Sequence, residues 1–436
     1  MKKLFKNKSF VLLFQGALVS SIGTTIYAFA AGLYVQELFP KEIYGNKGAF
    51  YFSLVVAVSL GIRVLLSPIA GSLVDKWNKI KIIYITDFIR GFLFLISLFI
   101  LRSGLTNYEA LYLFIIISGL AGVNEALFAP AVSSSLPEIV GMENLQAAQG
   151  AQSIVGSIQG IIGVVAGMFL YALVGIEVAI LANAVSFLLS GISEMFIKAK
   201  HKEASIIPQG KTLIEDIKFG FKYLWEKDGL FTMMMFTVFL NFAFSPFFSV
   251  GMPFLFKTEL EKGAFHLGFV QIAFSIAMLA GGIIIGGAKF DNLGNAVKKG
   301  LFLLSAAFVL SAVDIYLVSY GVIGYWMFYV IYILLSIVIS FALIHTNVPM
   351  STGMLGAIDP SVRGRVMSTI SALSGGLVPV AIVLGGIIIQ YSNVAMLGVF
   401  SATIIIFTTF GFMKSKGVQR LFDSFENKTD IALETA

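Results

Sequence analysis

No cysteine occurs in the 436 residues, so disulfides and thiolate metal or redox sites are excluded. Histidine is almost missing too. His201, His266 and His345 are too scattered to form a recognisable zinc motif. The third scarcity decides most. Only 12% of residues are charged, where soluble domains carry about 25%. In place of charge stand 58% hydrophobic residues, 41 of them phenylalanine. A soluble chain of this length could not bury so much apolar surface in one core. The natural solvent for most of it is lipid.

Apolar runs of about 20 or more residues span a bilayer as helices. Twelve are present, near 10–37, 48–73, 80–102, 108–134, 145–173, 176–198, 229–256, 264–288, 297–320, 323–350, 364–391 and 393–413. The basic start MKKLFKNKSF resembles a signal-peptide n-region. The run after it is too long for a signal peptide and no small-residue cleavage site stands out, so it reads as an uncleaved first span. An even number of spans puts both termini on one side. Of the 30 Lys and Arg, Lys41, Lys47, Arg102, Lys257 and Lys262 fall on the opposite side, and Arg63 and Arg90 lie within spans. All others flank spans on the side of the termini, which the positive-inside rule makes cytoplasmic. The net charge of +6 therefore reflects topology and is no argument for nucleic acid.

The polar stretch 199–227 divides six spans from six. Within it Leu213, Ile214, Ile217, Phe221 and Leu224 recur at helical spacing opposite charged neighbours. That pattern predicts a helix lying on the inner membrane face. Its QGKT sequence is not a phosphate loop, because Ser205 stands where G-x-x-x-x-G-K-T needs glycine. The expected organisation is an N-terminal six-helix bundle at 1–198, a cytoplasmic linker at 199–227, a C-terminal bundle at 228–414 and a cytoplasmic tail at 415–436.

The two halves echo each other. GSLVDKWNKIK from Gly71 closes the second span, and GAKFDNLGNAVKK from Gly287 closes the eighth. Each has an acid four residues after its glycine, Asp75 and Asp291, and then lysines. PAVSSSLPEIVG from Pro130 and PMSTGMLGAIDP from Pro349 end the fourth and tenth spans. Both pairs are offset by close to half the chain. The fold class expected is an all-α membrane protein of twelve transmembrane helices in two pseudo-symmetric six-helix bundles.

The block Gly71-x-x-x-Asp75-Lys76 resembles the loop signature of the major facilitator superfamily, and the twelve spans and central linker agree with it along the whole chain. DFIRG at Asp87 to Gly91, the Ala129 segment APAVSSSLPEIVGMENLQAAQG, PSVRGRVMS from Pro360 and IKFGFKYLWEKDGL resemble its macrolide-efflux-like drug:proton antiporter branch. Trp77, Asn78 and Lys79 depart from the family's Gly-Arg-Arg/Lys, and the fifth span has no Gly-Pro. The resemblance implies a secondary transporter, with no cofactor and no enzymatic role. It implies proton-coupled efflux of hydrophobic or amphipathic, drug- or macrolide-like molecules by alternating access. The expected partners are a small-molecule substrate, protons and the lipid bilayer. The chain is expected to be a monomer in the cytoplasmic membrane. The alternatives are an importer or flippase for a lipid-like or siderophore metabolite, and a non-transporting sensor or scaffold.

Three groups of residues follow as candidates. Gly71, Asp75, Lys76, Gly287, Asp291, Arg363 and Arg365 are candidate gating residues, with Asp75 an anion suited to the N-terminus of the eleventh span. Arg63, Asp87, Arg90 and Glu125 lie within spans at a common depth, a candidate charge cluster in which Glu125 exchanges a proton. The resemblance places spans one, four, seven and ten at a cavity. From these and flanking span eight, Gln15, Thr24, Tyr27, Asn241, Phe244, Phe248, Gln271 and His345 are candidates for substrate contact. Glu37 and Glu194, at span ends, are expected to snorkel to water. Kinks are expected at Pro246, Pro253 and Pro379. Glycines 156, 160, 163 and 167 are expected to admit close helix contact in the fifth span.

Overall fold

The structure, a computed structural model, describes residues 4–423 except 142–143, 199–212, 228, 287–289, 291 and 360–361. Among the described residues there is no strand. Twelve helical runs account for the expected spans. They are α1 (Lys8–Leu38), α2 (Lys47–Lys76), α3 (Lys79–Leu101), α4 (Asn107–Val140), α5 (Leu145–Ile158, continuing through Gln159–Gly163 into Val164–Val174) and α6 (Ile176–Met195). After them come α7 (Leu230–Glu259), α8 (Ala264–Gly286), α9 (Leu293–Ser319), α10 (Tyr325–Ala357), α11 (Arg363–Gly376, resuming at Val378–Tyr391) and α12 (Val394–Lys414). Eleven are long and apolar enough to cross a membrane, and α5 supplies a shorter apolar segment, Gln159–Val174. Leu65, Phe99, Ile283 and Phe407 project from their helices and are largely exposed. In water such side chains would drive aggregation, whereas in lipid they are the solvent-facing surface. The protein is a multi-pass, all-α membrane protein.

Helix ends are set by local chemistry. Asn78 Oδ1 accepts from Lys81 N at 3.1 Å and starts α3, and Asn292 Oδ1 accepts from Asn295 N at 2.6 Å and starts α9. The same cap thus opens the third helix of each half. Several helices outrun their apolar stretches. Hydropathy ended the spans at 73, 134 and 350, but α2, α4 and α10 run on to Lys76, Val140 and Ala357. Hydropathy marks where lipid ends, and a helix continues past that point because its backbone bonds are internal. Pro130, Pro137 and Pro349 each delete one donor without ending the helix. At 34 residues α4 is about 50 Å long, beyond a hydrocarbon core of ~30 Å.

The chain divides into two compact units, Met1–Gly210 with Pro253–Ile272, and Lys211–Met252 with Ala273–Ala436. In the first, α1 packs on α5 and α6, α2 on α4, and α3 on α4 and α6. In the second, α7 packs on α11 and α12, and α9 on α10 and α12, while α8 meets α10 locally, where Ser340 Oγ donates to Phe274 O at 2.8 Å and Gly281 lies against Phe341 and Ile344. Adding six to each helix number of the first set reproduces four of these packings, and the hydrogen bond from Ser340 marks the place of the fifth. The repeat read from Gly71 and Gly287 is therefore a repeat of helix pairing.

The expected breaks take specific forms. In α7, π-helical turns follow Pro246 at Phe247–Gly251 and Pro253 at Leu255–Glu259. A π turn re-aims a helix without exposing its backbone. α11 stops at Gly376 and restarts with Pro379 in its first turn. In α5, Gly163 lies against α1 so closely that a Cβ there would sit 2.6 Å from Thr25 Cβ, and Gly167 abuts Ile26, whereas Gly156 touches nothing. The linker helix Leu213–Glu226 buries Leu224 but leaves Phe221 exposed, stacked on Trp225. Leu213, Ile214 and Ile217 have side chains outside the described residues. This helix docks on protein: Tyr223 Oη donates to Asp359 Oδ2 at 2.8 Å, and Gly220 abuts Thr369 of α11. The tail, too, is partly structured. Residues 416–423 are helical and bury Phe422 against Gly294 and Gly353.

Candidate functional site

α6 is apolar overall, yet Asn183, Ser186, Ser190 and Glu194 recur on it at helical spacing and form one polar stripe. All four are buried. The stripe reaches α1 because Gly16 stands opposite. A Cβ on Gly16 would lie 2.9 Å from Ser190 Oγ and 3.0 Å from Glu194 Oε1. Gln15 adds a bond across the same seam, its Nε2 donating to Ser193 Oγ at 3.0 Å. Glu194 corrects the expectation of a snorkelling carboxylate: it is 0% exposed although it precedes the last residue of α6. The contact with α1 covers it, which its position in the span could not reveal. Glu37, the other span-end acid, is partly exposed and pairs with Lys257.

On the neighbouring helix Arg90 links three elements. Its Nη1 donates to Glu125 Oε2 of α4 at 3.0 Å, and its Nη2 lies 3.4 Å from Asp87 Oδ1 one turn back on α3. Its guanidinium carbon lies 4.4 Å from the centre of the Phe128 ring and 4.8 Å from that of Phe187 on α6. Aromatic faces and carboxylates together compensate a cation that a bilayer otherwise rejects. Side-chain exposure grades along the network: Asp87 0%, Arg90 7%, Glu125 35%. One end is dry and the other is open.

The open end gives onto a cavity of about 520 Å³ in the first unit, walled by α1 to α4 with α6 and Gln159 of α5. This volume lies in the small-molecule range of ~300–1,000 Å³. Thr24, Ser118, Asn183, Arg90 and Glu125 supply polar groups; Tyr27, Phe94 and Phe187 supply aromatic walls. Tyr27 meets Phe94 edge-on at 4.7 Å. Arg63 lines the same cavity but joins none of the described ion pairs. The expected four-charge cluster therefore becomes three linked charges with Arg63 on the wall. Counting residues from a helix end gives depth, but the direction in which a side chain leaves its helix comes from packing.

Of the residues expected to contact substrate, the cavity collects Thr24 and Tyr27. Gln15 is engaged with Ser193 instead. Asn241, Phe244, Phe248 and His345 belong to the second unit. There Phe244 and Phe248 stack at 4.0 Å and pack with Phe274 and Phe308, and His345 lies between the Phe290 and Phe341 rings. Gln271 is half-buried on α8 and lies outside the lining. Of the gating residues, Gly71 is half-buried in α2, and Asp75 and Lys76 form its last turn, with the Asp75 side chain outside the described residues. Gly287 and Asp291 also lie outside them, as does the Arg365 side chain. Arg363 begins α11, where its Nη2 donates to Ile358 O at 3.4 Å. Sequence reasoning missed Asn183 and Ser190 and assigned Glu194 to water. Their signal was the polar stripe itself, visible as a recurrence along the sixth span.

Residues 13–381 match the family model described as Major Facilitator Superfamily. The protein described as "Uncharacterized MFS-type transporter YkuC" of Bacillus subtilis (strain 168) is 26% identical over 375 residues, covering 83% of this chain and 81% of its own. Macrolide efflux protein A of Streptococcus pyogenes is 21% identical over 405 residues, covering 91% of this chain and 93% of its own. A solved bacterial homologue of the iron transporter ferroportin, in an inward-facing state, matches with a TM-score of 0.72 at 15% identity, covering 94% of this chain and 98% of that one. A D-xylose-proton symporter matches with a TM-score of 0.70 at 10% identity, with the same coverage. At such identities the solved structures speak for the fold alone.

Proposed function

The chain belongs to the Major Facilitator Superfamily, and from that premise we propose that it exports hydrophobic or amphipathic small molecules in exchange for protons. The observation that carries this reading is the Asp87–Arg90–Glu125 network opening onto a cavity walled by aromatic and hydroxyl side chains. A wall that combines aromatic rings with hydrogen-bonding groups suits an amphipathic compound. A carboxylate whose arginine contact changes during a cycle changes its hold on a proton, which is the coupling an antiporter needs. Likeness to Macrolide efflux protein A supports a macrolide-like substrate. Matched helix pairing in residues 1–198 and 228–414 supports alternating access. In this reading Gly71, Asp75 and Lys76 belong to a cytoplasmic gate. The excess of lysine and arginine in alternate loops supports a cytoplasmic-membrane protein with both termini inside.

The test is transport by the purified chain in proteoliposomes under an imposed pH gradient, with radiolabelled erythromycin, a cationic dye, a siderophore and a lysolipid as probes. The expected result is probe movement opposite to proton movement. Probe and protons travelling together would make the chain an importer. No flux of any probe under either gradient polarity would support the sensor or scaffold reading.

A further inference from the structure

Asp87 and Glu194 come from different helices, α3 and α6, and both are 0% exposed. The two helices are in close contact at this level: a Cβ on Gly191 of α6, next to Ser190, would lie 3.3 Å from the Phe88 ring and from Tyr84 O of α3, on either side of Asp87 in sequence, and both carboxyls neighbour Ser190. No donor of good geometry reaches any of their four carboxyl oxygens, and Ser190 Oγ, also buried, has no partner. Arg90 approaches Asp87 no closer than 3.4 Å, and its Nε and Nη2 remain unbonded. Buried acceptors facing acceptors are costly, and the cost is highest where water is excluded. Two buried carboxylates at one place also repel. A single proton between them removes both defects. It cancels one charge, and it supplies the donor that one carboxyl lends to the other.

We propose that Asp87 and Glu194 form a carboxyl–carboxylate pair that holds one exchangeable proton between α3 and α6. The pair deepens the proton-coupled reading above, on which its role in transport rests. The charged groups facing it are Arg90 on α3 and Glu125 on α4; from α1 the uncharged Gly16 stands against Glu194. With one proton on the pair, the set of three carboxyls and one arginine carries one net negative charge, offset toward the cavity where Glu125 is part-exposed and Arg63 stands on the wall. Arg90 is the connection. It touches Asp87 on its dry side and Glu125 on its open side, so a shift of the guanidinium toward Glu125 strengthens the pair's hold on the proton and a shift toward Asp87 weakens it. A metal cation is the poorer occupant, because the guanidinium already lies beside Asp87. Among the described residues, moreover, no group of three or more metal-ligating side chains occurs.

Infrared difference spectroscopy of the full chain in lipid nanodiscs, titrated in H2O and D2O, tests this without any substrate. The expected result is a protonated-carboxyl band at neutral pH that shifts in D2O. It is lost in both Glu194→Gln and Asp87→Asn, and retained in Glu125→Gln. Ser190→Ala, a milder change, should move the band without abolishing it, which guards against misfolding of the carboxamide variants. A spectrum unchanged in both Glu194→Gln and Asp87→Asn, with Ser190→Ala also silent, overturns the pair. The band disappearing in Glu125→Gln alone overturns it too, by assigning the proton to the open end. If the band behaves as expected while transport ignores pH gradients, the pair stands and the antiport reading falls.

Discussion

Replacing Arg90 by methionine removes its charge and keeps a stem that can still lie on Phe128 and Phe187. Left behind are Asp87, wholly buried, and Glu125, about one-third exposed. At 3.4 Å and an effective dielectric near 20, the Asp87 attraction is worth about 5 kcal/mol before desolvation. Breaking a buried pair by deleting one partner costs about 3–5 kcal/mol overall. The Glu125 contact is shorter, at 3.0 Å, but Glu125 is about one-third exposed on the cavity wall. Screening brings it to the range of exposed pairs, below about 1 kcal/mol. Double-mutant cycles separate the two. Arg90→Met with Asp87→Asn should show a coupling of about 2–3 kcal/mol, and Arg90→Met with Glu125→Gln less than about 1 kcal/mol. Reversible unfolding in mixed micelles measures both. Equal couplings, or a larger one at Glu125, would refute the division into a dry and an open end. So would an Arg90→Met variant within about 0.5 kcal/mol of the parent protein.

Asp75→Asn should leave expression and thermal unfolding unchanged and slow transport in the proteoliposome assay; full transport at normal expression removes Asp75 from the gate. Gly163→Val should destabilise by about 1–3 kcal/mol, since even a Cβ would meet Thr25 at 2.6 Å, while Gly156→Ala, which faces open space, should be silent in the same unfolding measurement. Burial holds the Tyr223 phenol above its ordinary value of 10.0, and the Asp359 carboxylate adds to the rise. Docking of the linker helix is therefore complete below about pH 10 and weakens as pH climbs through the raised value. Trp225 fluorescence should report that alkaline step, and the step should vanish in Tyr223→Phe; its persistence there would assign it to another group.

Much of the architecture was legible because lipid imposes a simple rule: a segment that crosses must be helical and apolar for about 20 residues. Composition alone therefore announced the membrane, and each of the twelve runs corresponds to a helix. The repeat was legible from Gly71 and Gly287, and it returns as the shared asparagine caps at Asn78 and Asn292. Helix ends were less legible, because apolar residues stop at the lipid boundary while α4 continues through two prolines to Val140. Asp87, Arg90 and Glu125 stood out as charges in an apolar context, and they do pair. Glu194 lies at a span end, where sequence alone reads it as water-facing, and Arg63, grouped with the other three charges, joins no ion pair among the described residues.

The sequence by itself determined the solvent, the number of crossings, the two-half plan and the scarcity of groups available for chemistry, because each depends on local composition or on recurrence along the chain. Tertiary structure alone decided which charges meet. Ion pairing depends on the rotation of one helix against another, and here that rotation is set by small contacts. Gly16 lets α6 come near enough to cover Glu194, and Arg90 is held over two phenylalanine rings between a buried acid and an open one.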